Sequence, residues 1–284
     1  MENGHIPESW FLKCKEYYAD RYPDLWEKMV GEWSVPGTDC RFWLTGPSSY
    51  WIRLGSVRFA VDPVWTIPGT FDALLPGIAE ETEKLDFILL THAHIDHFVP
   101  AQAAKLADAD VKWLVPSCIK TAVLSAGVPE GKCVFLEPGD TAEIGGVCVE
   151  AYPGHHDYLD GRKGPGALMY VVGYSGKRYF FPGDIRDYLP ESIPEGDFDA
   201  VFLHLYLGAK PYDYPLGEYY QRAAAYAAAM PTRRMFLTHL YGFHYAHADQ
   251  FWNFAHAGML LDALFCLRPD IDAVVPRIGQ GYDL

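Results

Sequence analysis

Residues 91–98 read T-H-A-H-I-D-H-F, setting three imidazoles and a carboxylate within six positions directly behind the apolar run Phe87-Ile88-Leu89-Leu90. Neutral imidazole nitrogen and carboxylate oxygen are donors suited to Zn, Mn or Fe, and such a set needs no cysteine. In extended backbone alternate side chains share a side, so His92 and His94 face together, while Asp96 and His97 fall where the chain must turn. One short segment then faces two neighbouring ions. A strand ending in a metal loop is the context this motif requires; a solvated, His-rich turn is the competing reading of the same letters.

One loop cannot hold two metals, and further candidates stand behind other apolar runs. Val149-Glu150-Ala151-Tyr152-Pro153 leads into Gly154-His155-His156-Asp157, Tyr179-Phe180-Phe181-Pro182 into Gly183-Asp184, and Met235-Phe236-Leu237-Thr238 into His239. Each run delivers a donor at its C-terminal end, the rim where a layered fold gathers functional loops. Taken singly, Asp184 reads as a turn residue and His239 as a core histidine. Their shared placement at strand ends gives them weight. His155 and His156 are neighbours whose side chains point to opposite faces in extended backbone, so they do not both enter one site.

These donors need elements to carry them. The aromatic and apolar residues Trp10, Phe11, Tyr17, Tyr18, Leu25, Trp26 and Met29 predict an amphipathic helix interrupted near Pro23, capping the main fold. Runs at 41–44, 49–54 and 57–61 read as an antiparallel meander closed by Asp62-Pro63. Beyond the metal loop, helix is predicted over 101–106 and 119–125 and strand over 112–115. Strands follow at 133–137, 147–152, 167–174 and 177–181, the last two joined by the hairpin signal Ser175-Gly176. The final third alternates strand 200–205, helix 218–230, strand 234–238, helix 250–265 and the run 273–276. No repeat period or low-complexity linker divides the chain. The expectation is a helical cap over 1–38 on one domain over 39–284, with two sheets packed face to face and helices outside.

With 284 residues, 50% hydrophobic and 15% aromatic, the chain can bury a sizeable core. No apolar stretch approaches the roughly 20 residues of a membrane span, and the first ten residues lack the layout of a signal peptide, so a cytoplasmic location and no membrane partner are expected. The six cysteines form no C-x-x-C pair, which excludes a zinc ribbon or redox motif. A net charge of -14 repels polyanions, which argues against nucleic acid. A small-molecule substrate is the expected partner, and a homo-oligomer is compatible with the chain.

In their order along the chain, T-H-A-H-I-D-H, Y-P-G-H-H, F-P-G-D and L-T-H resemble the metallo-β-lactamase superfamily of hydrolases. The segments E-S-W at 8–10, V-P-G-T at 35–38 and G-V-P-E-G-K-C with the following E-P-G-D are similar to its ascorbate 6-phosphate lactonase-like branch. The resemblance implies an α/β (α+β) fold, a four-layer αββα sandwich, with two divalent ions, Zn or Mn. It implies His92, His94 and His156 on one ion, Asp96, His97 and His239 on the other, and Asp184 bridging. His156 is preferred over His155 because the ligand of the lactonase-like branch stands three residues after proline, whereas thioesterase relatives favour the earlier histidine. Asp62 either supports the metal loop from behind, fixing an imidazole by hydrogen bonding, or is a plain turn residue before proline.

The implied chemistry is hydrolysis: paired ions bring a shared water towards ionisation at neutral pH, and the resulting hydroxide attacks a carbonyl carbon or phosphorus. Asp96 is the expected proton acceptor or shuttle. The expected substrate is a small ester or lactone such as a sugar-phosphate lactone. A phosphodiester on the same site and a non-catalytic metal-binding protein are the alternatives. Arg186 is placed to meet an anionic group, with Lys210, Arg162 or Lys163 assisting. Tyr206, Tyr212, Tyr214, Tyr241 and Tyr245 offer an aromatic wall, His204 and the loop 241–247 a pocket rim, and His256 core packing.

Overall fold

Alternating side chains in the N-terminal strands sort onto two faces, and that sorting builds the layers. The computed structural model describes residues 8–66, 77–157, 161–207, 216–240, 242 and 252–284. From β1 (Cys40–Leu44) and β2 (Tyr50–Leu54), Phe42 and Tyr50 turn one way and Trp43 and Trp51 the other. Phe42 meets the rings of Phe202 and Phe236 at 4.8 and 4.6 Å, in a dry seam between two sheets. Trp43 and Trp51 instead meet Trp33 of helix α1 (Glu8–Ser34) at 5.8 and 5.0 Å, edge to face.

Helix α1 lies on the outer side of the first sheet because Phe11, Tyr18, Tyr22, Trp26, Met29 and Trp33 recur at helical spacing and are all buried. Its last carbonyls are met from the sheet: the buried Arg53 guanidinium donates to the carbonyls of Trp33 and Val35 at 3.2 and 2.6 Å while paired with Asp39. The expected interruption near Pro23 does not occur, and the helix runs through it. Tyr22 and Trp26 on either side are buried, and the Tyr22 hydroxyl donates to the Thr45 carbonyl at 2.9 Å. Docking on the sheet outweighs the main-chain hydrogen bond that proline forfeits.

The remaining strands are β3 (Val57–Val61), β4 (Phe87–Leu89), β5 (Lys112–Pro116), β6 (Cys133–Leu136), β7 (Thr141–Ile144), β8 (Val147–Pro153), β9 (Leu168–Tyr174), β10 (Lys177–Phe181), β11 (Ala200–His204), β12 (Arg234–Thr238), β13 (Asp272–Val274) and β14 (Gly281–Asp283). They form two seven-stranded mixed sheets, β14-β1-β2-β3-β4-β5-β6 and β13-β12-β11-β10-β9-β8-β7. Parallel pairing of β3 through β6 needs crossover connections, which contain α2 (Ile78–Thr82), α3 (Pro100–Leu106) and α4 (Lys120–Ser125). Likewise α5 (Leu216–Ala229) and α6 (Phe254–Leu267) join the parallel strands β11, β12 and β13. Two mixed sheets and their helices make the α+β sandwich expected from the sequence. No helix among the described residues is long and apolar enough to cross a membrane.

Candidate metal centre

Six strands, two from the first sheet and four from the second, end at the same rim, and each hands over a donor there. Strand β3 leads into Asp62, β4 into the loop 91–97, β8 into His156, β10 into Asp184, β11 ends on His204 and β12 leads into His239. Apolar strand interiors explain the placement: imidazoles and carboxylates have partners only where the sheets stop.

Two groups of donors converge. Ligand atoms of His92, His94, His156 and Asp184 lie within 4.8 Å of one another, as do those of Asp96, His97 and His239. Asp184 stands between the groups. Its Oδ2 is 3.8 Å from Nε2 of both His92 and His156, while its Oδ1 is 3.3 Å from His97 Nε2 and 3.6 Å from His239 Nε2. Asp96 Oδ2 lies 3.2 Å from His239 Nε2. His155 turns away, its Nδ1 donating to Asp187 at 2.9 Å, a pairing that the sequence did not reveal.

The imidazoles are aimed from behind. His97 Nδ1 donates to Asp62 Oδ2 at 2.7 Å and His239 Nδ1 to the Leu205 carbonyl at 3.0 Å, leaving Nε2 of each facing inward. His92 Nδ1 lies 3.0 Å from the Thr91 hydroxyl oxygen. Asp62 also accepts from the main-chain and side-chain donors of Thr91, so it ties the start of the metal loop to the end of β3. The turn between β1 and β2 braces the other side: Ser48 donates to the Asp96 carbonyl, and the His239 amide donates to Pro47. Asp62 and His239 take positive φ angles of 45° and 69°, a costly backbone state for such residues and one found where a site dictates geometry. Gly183 has φ 61°, and a Cβ there would press on Thr91 at 3.2 Å, so a larger residue would displace either Asp184 or the metal loop.

Electrostatics matches the donor chemistry. Burial pushes the His156 imidazole down to about 3 and holds those of His92 and His94 below their ordinary value, so all three present neutral lone pairs at neutral pH. Burial works against charge on Asp184, yet His239, His97 and a hydrogen bond from His204 hold its carboxyl well below the usual range. Asp96 is likewise held low, burial being overcome by His97 and His239. At His97 burial is opposed by Asp184, Asp62 and Asp96, which raise its proton affinity; a cation at Nε2 would meet that same negative field. Among the described residues, both nitrogens of buried His156 and Nε2 of buried His97 lack a hydrogen-bond partner. Buried imidazole nitrogens without partners, facing carboxylates, fit divalent cations.

Other sequence candidates scatter. Arg186 is buried, with its guanidinium 5.0 Å above the Tyr206 ring and its charge felt by His94 and His156. Lys163 is exposed and paired with Asp157, and Arg162 is also exposed. His204 stands at the rim of strand ends but does not line an open pocket: it is 2% exposed, behind Asp184, with Nδ1 2.9 Å from Asp184 Oδ1. Only its place at the end of an apolar strand hinted at this. His256 packs in α6, where it completes a capping box with Asn253. Lys210, Tyr212, Tyr214, Tyr241, Tyr245, His244 and His247 lie outside the described residues.

A family model described as Beta-lactamase superfamily domain matches residues 57–240. The chain is 30% identical over 174 residues to a UPF0173 metal-dependent hydrolase of Pyrococcus abyssi, covering 58% of this chain and 73% of that protein. It is 24% identical over 163 residues to N-acyl-phosphatidylethanolamine-hydrolyzing phospholipase D 1 of Caenorhabditis elegans, covering 50% of this chain but only 45% of that enzyme, less than half its length. The fold is similar to that of Igni18, a metallo hydrolase of Ignicoccus hospitalis, with a TM-score of 0.64 at 15% identity over 87% of this chain and 99% of that one. Since the matched residues run from β3 to just past His239, through all six strand ends of the rim, the chain belongs to the β-lactamase superfamily and carries the metallo-β-lactamase fold.

Proposed function

We propose that the chain hydrolyses a small ester or lactone bearing an anionic group, such as a sugar-phosphate lactone, using two divalent ions, Zn or Mn. The observation that carries this reading is the two-sided Asp184, one oxygen turned to His92 and His156 and the other to His97 and His239. In this reading His92, His94 and His156 hold one ion, Asp96, His97 and His239 the second, and Asp184 both. When bound, such a pair supplies a water ionised near neutral pH and polarises the oxygen of the group under attack. Asp96, ionised and next to His239, accepts or passes on the proton. Asp62 keeps His97 in one tautomer. Arg186, stiffened over Tyr206, receives the substrate's phosphate or carboxylate.

The second reading is a phosphodiester substrate, favoured by the likeness to the C. elegans enzyme, whose name describes phospholipid hydrolysis. Elemental analysis of protein purified without chelator, joined to turnover of a lactone panel against bis-aryl phosphates, tests both. We expect about two ions per chain and preference for the lactones. Asp184→Ala and His97→Ala should each lower kcat/KM by at least about a thousandfold while circular dichroism shows an intact fold. Full activity in either variant sinks the proposal.

A further inference from the structure

We infer that Thr238, Tyr50 and His204 form a one-way hydrogen-bond relay that holds Asp184 in its two-sided orientation, making His204 a positioning residue for the shared carboxylate. The inference rests on the two-ion reading above. A carboxylate only accepts, so the proton between His204 Nδ1 and Asp184 Oδ1, 2.9 Å apart, belongs to the imidazole. The neutral ring then accepts at Nε2, where the Tyr50 hydroxyl stands 2.9 Å away and donates. The Tyr50 oxygen in turn accepts from the Thr238 hydroxyl, in a short contact. All four residues are buried, so no water competes for these bonds. Aligned donors strengthen one another in a low-dielectric interior.

The relay crosses the seam between the sheets. Tyr50 belongs to β2, while His204 and Thr238 are cross-strand partners at the ends of β11 and β12. With both nitrogens engaged, His204 is not available as a ligand, although it lies within 4.8 Å of His97 and Asp184. By occupying one lone pair of Oδ1, it fixes the carboxylate plane, so that the remaining lone pair of Oδ1 faces His97 and His239 and Oδ2 faces His92 and His156. A histidine that only filled space would influence the fold and not the ions.

The test is zinc affinity and stoichiometry, by elemental analysis and chelator competition, for wild type, His204→Phe, His204→Asn and Tyr50→Phe. His204→Phe should weaken the second ion about 10–100-fold and lower kcat with KM little changed. His204→Asn, whose amide restores a donor to Asp184, should recover most of that loss. Tyr50→Phe should cost a few-fold. Two ions held by His204→Phe at wild-type affinity would overturn the relay and leave the two-ion reading standing. Failure of the wild type to hold two divalent ions, zinc or manganese, would overturn the two-ion reading itself, and the relay with it. If His204→Phe does not fold, Tyr50→Phe decides, and unchanged affinity there counts against the relay.

Discussion

Asp62 shows how much one carboxylate can organise. It accepts from the Thr91 amide, the Thr91 hydroxyl and His97 Nδ1, all within the protein interior. An asparagine offers one acceptor oxygen and turns an amide towards the remaining donors. Asp62→Asn should therefore lower metal affinity about 10–100-fold and stability by about 1–3 kcal/mol, read by chelator competition and urea unfolding. The same residue marks the limit of sequence reading. The dense 92–97 segment was legible because its donors are adjacent in the chain, but Asp62-Pro63 is equally the spelling of a turn. His204 was hidden for a related reason: it is a single histidine in an apolar strand, and its partner Asp184 is twenty positions away with nothing local to link them.

At the level of elements, long runs with clear period were readable and short ones were not. Strands β2, β3, β8 to β12 and helix α5 follow their hydrophobic patterns closely. Strand β7 is four residues, half of them polar, β14 is three residues containing glycine, and α2 is a five-residue turn of helix, so none carried a usable pattern. Helix α1 was legible as a helix, but its unbroken passage through Pro23 depends on the sheet beneath it. Trp33 makes that dependence measurable: it is fully buried between α1 and the rings of Trp43 and Trp51, and Trp33→Ala should cost about 3–5 kcal/mol in denaturant unfolding. Helix α6 yields a pH effect. Burial pushes the His256 imidazole from an ordinary 6.5 down to about 4, so the unfolded chain takes up the proton first as pH falls. Stability from this group is present above about pH 6.5 and lost progressively towards pH 4, on the order of 3 kcal/mol. His256→Gln, which keeps a side chain able to reach the Asn253 amide, should flatten that part of the profile relative to wild type.

For the whole molecule, the donors come from both sheets, so bound ions would cross-link the two halves. On the two-ion reading, removal of the ions by chelator should lower Tm by on the order of 10 °C, and readdition of zinc should restore it in differential scanning calorimetry. An unchanged Tm would mean that the sheets hold together without help from the rim. The acidic net charge of -14 favours cations over polyanions at the surface.

The pairing of β14 with β1 sets residues 281–283 against 41–43, and Phe42 stacks on Tyr282 at 5.3 Å. During synthesis the β1 edge of the first sheet thus waits bare until β14 has left the ribosome. A nascent chain already carrying the full set of donors up to His239 would still have that edge open to wrong partners, so the hazard for this protein lies in the interval between acquiring its chemistry and closing its sheet.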